Sequence, residues 1–174
     1  MEEQDKLAQF EQSILPHMDA AYNLARWLTQ SDPDAQDLVQ EAYLRAFRFF
    51  GGFRGGNSRA WLLRIVRNAF YDWLKRNRHA EDATPFDEEL HRSPDGQAGP
   101  DILLIEKANH EILRESIDEL PVEFREVLIL RELEGLSYKE IADIAAVPIG
   151  TVMSRLARAR DHLRSRLVTR LEVE

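Results

Sequence analysis

Apolar residues recur along this chain at spacings of three and four, the repeat that lines one face of an α-helix, and no run alternates with the period of two that a half-buried strand needs. Leu7, Phe10 and Ile14 outline one short helix, and Tyr22, Leu24 and Leu28 a second, with the break near Pro16. A third is expected to open at Ser31-Asp32-Pro33-Asp34, where capping side chains, a proline suited to the first turn and dipole-favoured acids stand together. Its apolar face is Leu38, Val39, Ala42, Tyr43, Ala46, Phe47 and Phe50, and Gly51-Gly52 stops it. After a glycine-rich loop, Asn57 or Ser58 caps a fourth helix with Trp61, Leu62, Ile65, Val66, Ala69, Phe70, Trp73 and Leu74 inward. The pattern predicts one compact helical domain over residues 1–78.

Residues 79–100 hold three prolines, two glycines and six acids against one arginine, which reads as a flexible acidic linker. A second helical set is expected from near Asp101, breaking at Pro121 and resuming with Phe124, Val127, Leu128, Leu130 and Leu133 before Gly135. Ser137-Tyr138-Lys139-Glu140 then spells a capping box, in which hydroxyl and carboxylate satisfy each other's orphan amides. A short helix with Ile141, Ala142 and Ile144 inward runs to Ala146, Val147-Pro148 forces a turn, and Gly150-Thr151 opens another with Val152, Leu156, Ala159 and Leu163 on one face. Two short helices across a tight turn, the second rich in arginine, are what a major-groove reader requires, although a plain helical hairpin with exposed arginines has the same pattern. The expected fold is all-α: two small helical domains, 1–78 and 101–174, joined by the linker, the second containing a helix-turn-helix.

Composition narrows the class. With 174 residues, 44% of them hydrophobic, the chain suits two small cores better than disorder. It has no cysteine, which excludes a disulfide scaffold, a thiolate nucleophile and the usual zinc sites. No apolar run approaches a membrane span and the acidic start lacks a signal peptide's basic region, so a soluble cytoplasmic protein is expected.

A net charge of -8 taken whole speaks against nucleic acid. Counted by segment it does not. Residues 51–80 carry seven bases and one acid, and residues 147–174 six bases and three acids, while residues 81–120 carry twelve acids and three bases. Two basic stretches, each in a helical pattern, stand in an acidic frame and suit two phosphate-facing helices.

On the last helix Thr151, Met153, Ser154, Arg155 and Arg158 would face DNA, arginine being the side chain best matched to a guanine edge. On the fourth helix Arg59, Arg64, Arg67, Asn68, Tyr71, Asp72, Lys75 and Arg76 are outward and mostly donors. The preceding Phe53-Arg54-Gly55-Gly56-Asn57-Ser58 lets backbone approach a ligand and suits unpaired bases, whereas Trp61 and Trp73 belong to the core. An enzyme is not indicated. Asp32, Asp34, Asp37 and Glu41 are better read as a partner-facing surface than a metal site, and His17, His79, His91, His110 and His162 lack paired-ligand spacing. No phosphate-binding loop or nucleophile motif occurs and no cofactor is expected.

Four stretches together resemble the extracytoplasmic-function (ECF) sigma factors, group IV of the bacterial primary sigma-factor superfamily. They are Asp34-Ala-Gln-Asp-Leu-Val-Gln-Glu-Ala-Tyr-Leu-Arg-Ala-Phe47; Phe53-Arg-Gly; Trp61-Leu-Leu-Arg-Ile-Val-Arg-Asn68 with Asp72; and Leu120-Pro-Val-Glu-Phe-Arg-Glu-Val through Gly150-Thr-Val-Met-Ser-Arg-Leu-Ala-Arg-Ala-Arg160. The resemblance implies that residues 1–78 form the sigma region 2 domain, which binds core RNA polymerase and the minus-10 element, and 101–174 the region 4 domain, which reads the minus-35 element.

Carried over by position, Asp34, Asp37, Leu38, Gln40, Glu41 and Arg45 match the surface for the clamp helices of the polymerase's largest subunit, and the polymerase flap is the other contact implied. An acidic helix suits a basic partner. Phe53, Arg54, Asn57 and Ser58 match the loop that captures a flipped minus-10 base, with Arg67, Asn68, Asp72 and Arg76 on the helix beside it. Tyr138, Lys139 and Thr151 match phosphate-holding positions, and Met153, Ser154, Arg155, Ala157 and Arg158 the base-reading face. Ala146 stands where the family often has glycine, so a left-handed backbone there would be strained by about 1 kcal/mol. Met153 and Ala157 replace larger or charged residues found in some members.

The expected function is therefore that of a dissociable specificity subunit for promoter-specific initiation, not an enzyme, with the acidic linker in the polymerase's RNA path. The other reading is a stand-alone helix-turn-helix regulator that binds operator DNA without polymerase and needs nothing from residues 1–78. Almost nothing before Asp5 or after Glu174 resembles a sensor, so a separate anti-sigma factor is expected to wedge between or wrap the domains and hold the chain inactive until a stress or environmental signal.

Overall fold

The structure, a computed structural model, describes residues 2–80 and 102–173, and every regular element among them is a helix. In chain order these are α1 (Glu3–Ser13), α2 (Met18–Thr29), α3 (Asp32–Phe49), α4 (Ser58–Ala80), α5 (Ile102–Asp118), α6 (Val122–Glu132), α7 (Tyr138–Ala145) and α8 (Ile149–Val173). Pro16 sits in a 3₁₀ turn, Leu15–His17, that redirects the chain between α1 and α2. The expected linker lies outside the described residues from 81 to 100, and its first two positions, 79 and 80, instead continue α4.

The capping chemistry acts where the sequence places it. Ser31 Oγ accepts from the Asp34 amide (3.4 Å), with Pro33 in the first turn of α3. Asn57 Oδ1 accepts from the Ala60 amide (3.1 Å), which makes Asn57 the cap of α4. Both bonds of the Ser137/Glu140 capping box are present, at 3.1 and 3.0 Å. α7 ends at Ala146 in the left-handed region, φ 56, as the turn requires. The Val147 amide then returns to the Ala142 carbonyl (3.1 Å), and Pro148 ends the turn ahead of α8.

α2, α3 and α4 pack on one another around Leu24, Leu28, Leu38, Leu62, Leu63 and Val66. Phe10 closes the end of that bundle with edge-on contacts to Tyr43, Phe47 and Phe50, centroids 5.3–6.1 Å apart. Leu7, Phe47 and Leu133, which the spacing turns inward, are instead exposed, although Phe47 keeps its edge-on contact with Phe10. α6, α7 and α8 pack around Ile129, Leu130, Ile141, Val152 and Leu156.

The two helical sets are docked: α6 lies on α2, α7 lies on α4, and one buried apolar cluster runs through both. The joint is polar as well. Arg125 on α6, 6% exposed, donates to the Trp27 and Leu28 carbonyls at 2.8 and 3.2 Å. It therefore caps the C-terminus of α2, where carbonyls lack partners and the dipole favours a cation. The same guanidinium reaches the Leu120 carbonyl at 2.8 Å, and Gln30 Nε2 donates to the Asp118 carbonyl at 2.6 Å.

Two outcomes test these local devices. Ala146→Gly removes the left-handed penalty and should raise the unfolding free energy by about 1 kcal/mol, read as a higher urea midpoint with unchanged slope. The Ser137 amide holds the Glu140 carboxyl below its ordinary value of 4.5. A carboxyl lowered in the folded state stabilises above its unfolded value, and that contribution is lost as pH falls through the lowered one. The stability advantage of wild type over Glu140→Gln should therefore be full near neutrality and shrink below that ordinary value; an advantage independent of pH would contradict the capping role.

Candidate nucleic-acid interface

The loop between α3 and α4 is shaped by two glycines at φ 85 and 90, a region that side chains other than glycine rarely adopt. It carries Phe53 against Phe50 and Trp61, centroids 5.9 and 5.1 Å away, so that ring is half-buried and braced. Arg54 beside it is exposed. Ser58 is half-buried, its hydroxyl 3.0 Å from His17 Nε2, and burial together with Arg59 holds that imidazole below its ordinary range.

Along α4, Asn68, Asp72 and Arg76 are exposed, while Arg67 is turned into the joint between the helical sets. Asp72 and Arg76 are tied to α3: Arg45 donates to Asp72 (2.8 Å) and Glu41 (2.8 Å), and Arg76 to Glu41 (3.2 Å). Burial alone would push the Glu41 carboxyl up, but the bonds from Arg76 and Arg45 outweigh it and leave the carboxyl below its ordinary value. Residues that the sequence assigns to two different partners thus share one charged edge.

On the α3 surface Asp37 and Gln40 are exposed and Asp34 is half-buried in the first turn. A shallow groove lined by Met18, Asp19, Tyr22, Asn23, Gln36 and Gln40 runs between α2 and α3. Leu38 corrects the expectation for this surface. It is 1% exposed and faces the core, because its three- and four-residue neighbours Ala35 and Ala42 are also buried and set the inward side of the helix.

The helix-turn-helix presents Met153, Ser154, Ala157 and Arg158 to solvent from α8, with Thr151 and Arg155 half-buried on the flanks of that face. Lys139 is exposed at the start of α7. Tyr138 is half-buried beneath the Arg131 guanidinium, 4.6 Å from its ring centroid, and Arg131 also donates to the Leu136 carbonyl (2.8 Å).

Sequence reasoning missed the acids that face α4. Glu126 on α6 is fully buried, accepting from Arg67 Nε at 2.6 Å and from the Tyr71 hydroxyl at 3.0 Å. Burial pushes its carboxyl above the ordinary glutamate value despite Arg67. Burial and the neighbouring Glu126 push the Tyr71 hydroxyl up as well. Glu134, after α6, lies 3.6 Å from Arg59, and Glu140 accepts from the Asn57 side-chain amide. The only sequence signal is the phase of α6. Glu126 falls three residues before Ile129 and four before Leu130, on the inward face, where an acid must find a partner.

Comparison with known proteins agrees with this layout. The family model for sigma-70 region 2 matches residues 14–80 and that for sigma-70 region 4 residues 110–163. The chain is 35% identical to the RNA polymerase sigma-H factor of Pseudomonas aeruginosa, over 90% of this chain and 84% of that one. To the ECF RNA polymerase sigma-E factor of Escherichia coli it is 36% identical, over 74% and 71%. It is 35% identical to the ECF sigma factor SigE of Mycolicibacterium smegmatis over 95% of this chain, and spans 64% of that protein's length. Among solved structures it resembles the sigma factor RpoE in its complex with the anti-sigma factor NepR from Bartonella quintana, with a TM-score of 0.72 and 31% identity, covering 91% of this chain and 96% of that one. CnrH, solved with the cytosolic domain of CnrY, matches with a TM-score of 0.62 and 25% identity over 92% and 88%. With both region models in order and curated relatives matched over most of their length, the chain belongs to the sigma-70 family as an RNA polymerase sigma factor of the ECF class.

Proposed function

We propose that this chain docks on core RNA polymerase through the α3 surface around Asp34, Asp37, Gln40, Glu41 and Arg45, and directs it to promoters with two DNA-reading units. The unit of residues 1–78 takes the minus-10 element: the loop with Phe53, Arg54, Asn57 and Ser58 captures an unpaired base, and Arg67, Asn68 and Arg76 follow the strand. The unit of residues 101–174 takes the minus-35 element. Tyr138, Lys139 and Thr151 hold phosphates while Met153, Ser154, Arg155, Ala157 and Arg158 read base edges from α8.

The observation that carries this reading is the outward face of α8. A helix locked from behind by Val152, Leu156 and Ala159 presents a short polar and basic stripe near its N-terminus, the end that enters the major groove in this motif. The half-buried, ring-braced Phe53 supports the capture loop, since a flipped base needs a firm apolar surface to stack on.

The work of this subunit is binding: energy from docking and base capture drives strand opening, and the bond chemistry belongs to the polymerase. It acts in the cytoplasm, and no helix among the described residues is long and apolar enough to cross a membrane. A separate anti-sigma factor holds it inactive, as the solved complex of RpoE with the anti-sigma factor NepR suggests by its similarity.

Run-off transcription with core polymerase on a promoter library tests this. Promoter-specific initiation is expected from wild type and should be lost in Asn68→Ala and Arg155→Ala. Arg155→Ala should cost about 1 to 3 kcal/mol in promoter affinity if its guanidinium reads a base, with relaxed sequence preference at one minus-35 position. Specific operator binding without polymerase would replace this reading with that of a stand-alone regulator.

A further inference from the structure

Three side chains on the outward face of α8 have no group that can hydrogen-bond to a base. Ile149, Met153 and Ala157 stand four residues apart, on one line along the helix, and all three are exposed. Ile149 keeps 45% and Met153 53% of its surface in water. One exposed apolar side chain is ordinary anywhere on a protein, but a row of them on a reading face limits what that face can recognise. The next position on the line, Asp161, carries an acid that lies 3.8 Å from Arg164, so the apolar stretch is confined to the first part of α8. Behind it Val152, Leu156 and Ala159 are buried, and α8 cannot roll to hide the row.

Contiguity and charge name the occupant. Ser154 and Arg158 form a parallel exposed line one residue further round, so whatever seats on those two also meets Met153 and Ala157. Their donors suit base edges and phosphates, and Lys139 at the start of α7 adds a second exposed cation to the motif. In the major groove the base edges offer one apolar group, the C5 methyl of thymine. An apolar row cannot tell guanine from adenine, which differ there only in polar groups, but it can hold thymine by that methyl. The eight residues from Ile149 to Ala157 rise about 12 Å, the length of roughly three to four base pairs at about 3.4 Å each.

We propose that the row Ile149, Met153 and Ala157 sets the sequence preference of the minus-35 contact by packing on the C5 methyls of neighbouring thymines, with Ser154 and Arg158 supplying the polar contacts beside them. The inference rests on the functional reading above and adds to it the chemical group that is read. Met153 is the centre of the row, and its unbranched thioether chain adapts to a methyl on either side of it. Ala157 is short and lets the helix approach closely. Specificity and grip then divide between side chains: the row selects thymine, and the cations hold DNA of any sequence.

Deoxyuridine has the hydrogen-bonding groups of thymine and lacks only its methyl. Holoenzyme formed from core polymerase and the full chain is assayed for affinity on the best promoter from the library, with every minus-35 thymine on both strands replaced by deoxyuridine. Wild type should bind that template about fifteenfold more weakly, about fourfold for each of two methyls lost. In Ile149→Ala/Met153→Ala the loss should shrink to about fourfold or less, and the unfolding midpoint should stay that of wild type because both side chains are exposed. Lys139→Ala should weaken both templates alike and keep the full methyl effect. A selected minus-35 element without thymine, a wild-type loss below about fourfold, or an equal loss in the double-alanine variant, as DNA shape alone would give, would each overturn the proposal. Promoter-specific initiation that ignores the methyls would leave the functional reading standing and assign the apolar row to a protein partner. Absence of promoter-specific initiation would remove both.

Discussion

Two neighbouring charges on α6, Arg125 and Glu126, leave water together, and the relation between the two helical sets depends on how each is satisfied. Taking a charge out of water costs several kcal/mol, so each needs partners of nearly ideal geometry. Arg125 finds them in backbone, at the orphan carbonyls that end α2. Glu126 finds them in side chains of α4. One residue therefore reads the end of a helix, which any sequence supplies, and the next reads an arginine and a tyrosine, which only this surface supplies. The first fixes α6 against the body of the other set, and the second decides which face of α4 is covered.

That division explains how the polar joint coexists with a continuous apolar cluster. Apolar packing within the buried cluster that runs through both sets is non-directional and tolerates small slides. Arg125 and Glu126 are directional, and a shift by one helical turn would leave a buried cation and a buried anion without partners at once. Burial pushes the Glu126 carboxyl up and the Arg125 guanidinium down, so both are held against their preference for water. Their contribution is to register more than to affinity, and the apolar contacts must carry the net stability of docking.

The helices, the caps, the capping box and the turn at Val147-Pro148 were legible in the sequence because each is set by residues within a turn or two of one another. Ser137 and Glu140 are three apart, and Val147-Pro148 leaves the turn little choice. The outward residues of α8 were legible for the same reason, since the buried phase of Val152, Leu156 and Ala159 fixes everything between them. What was not legible is set across the chain: Arg67 meets Glu126 at a separation of 59 residues and Arg125 meets Trp27 at 98. Periodicity marks an outward arginine but not what lies outside it. Leu38 is the converse case. The resemblance matched it to a partner surface while the apolar phase of α3 turned it inward, and its burial beside Ala35 and Ala42 sides with the phase.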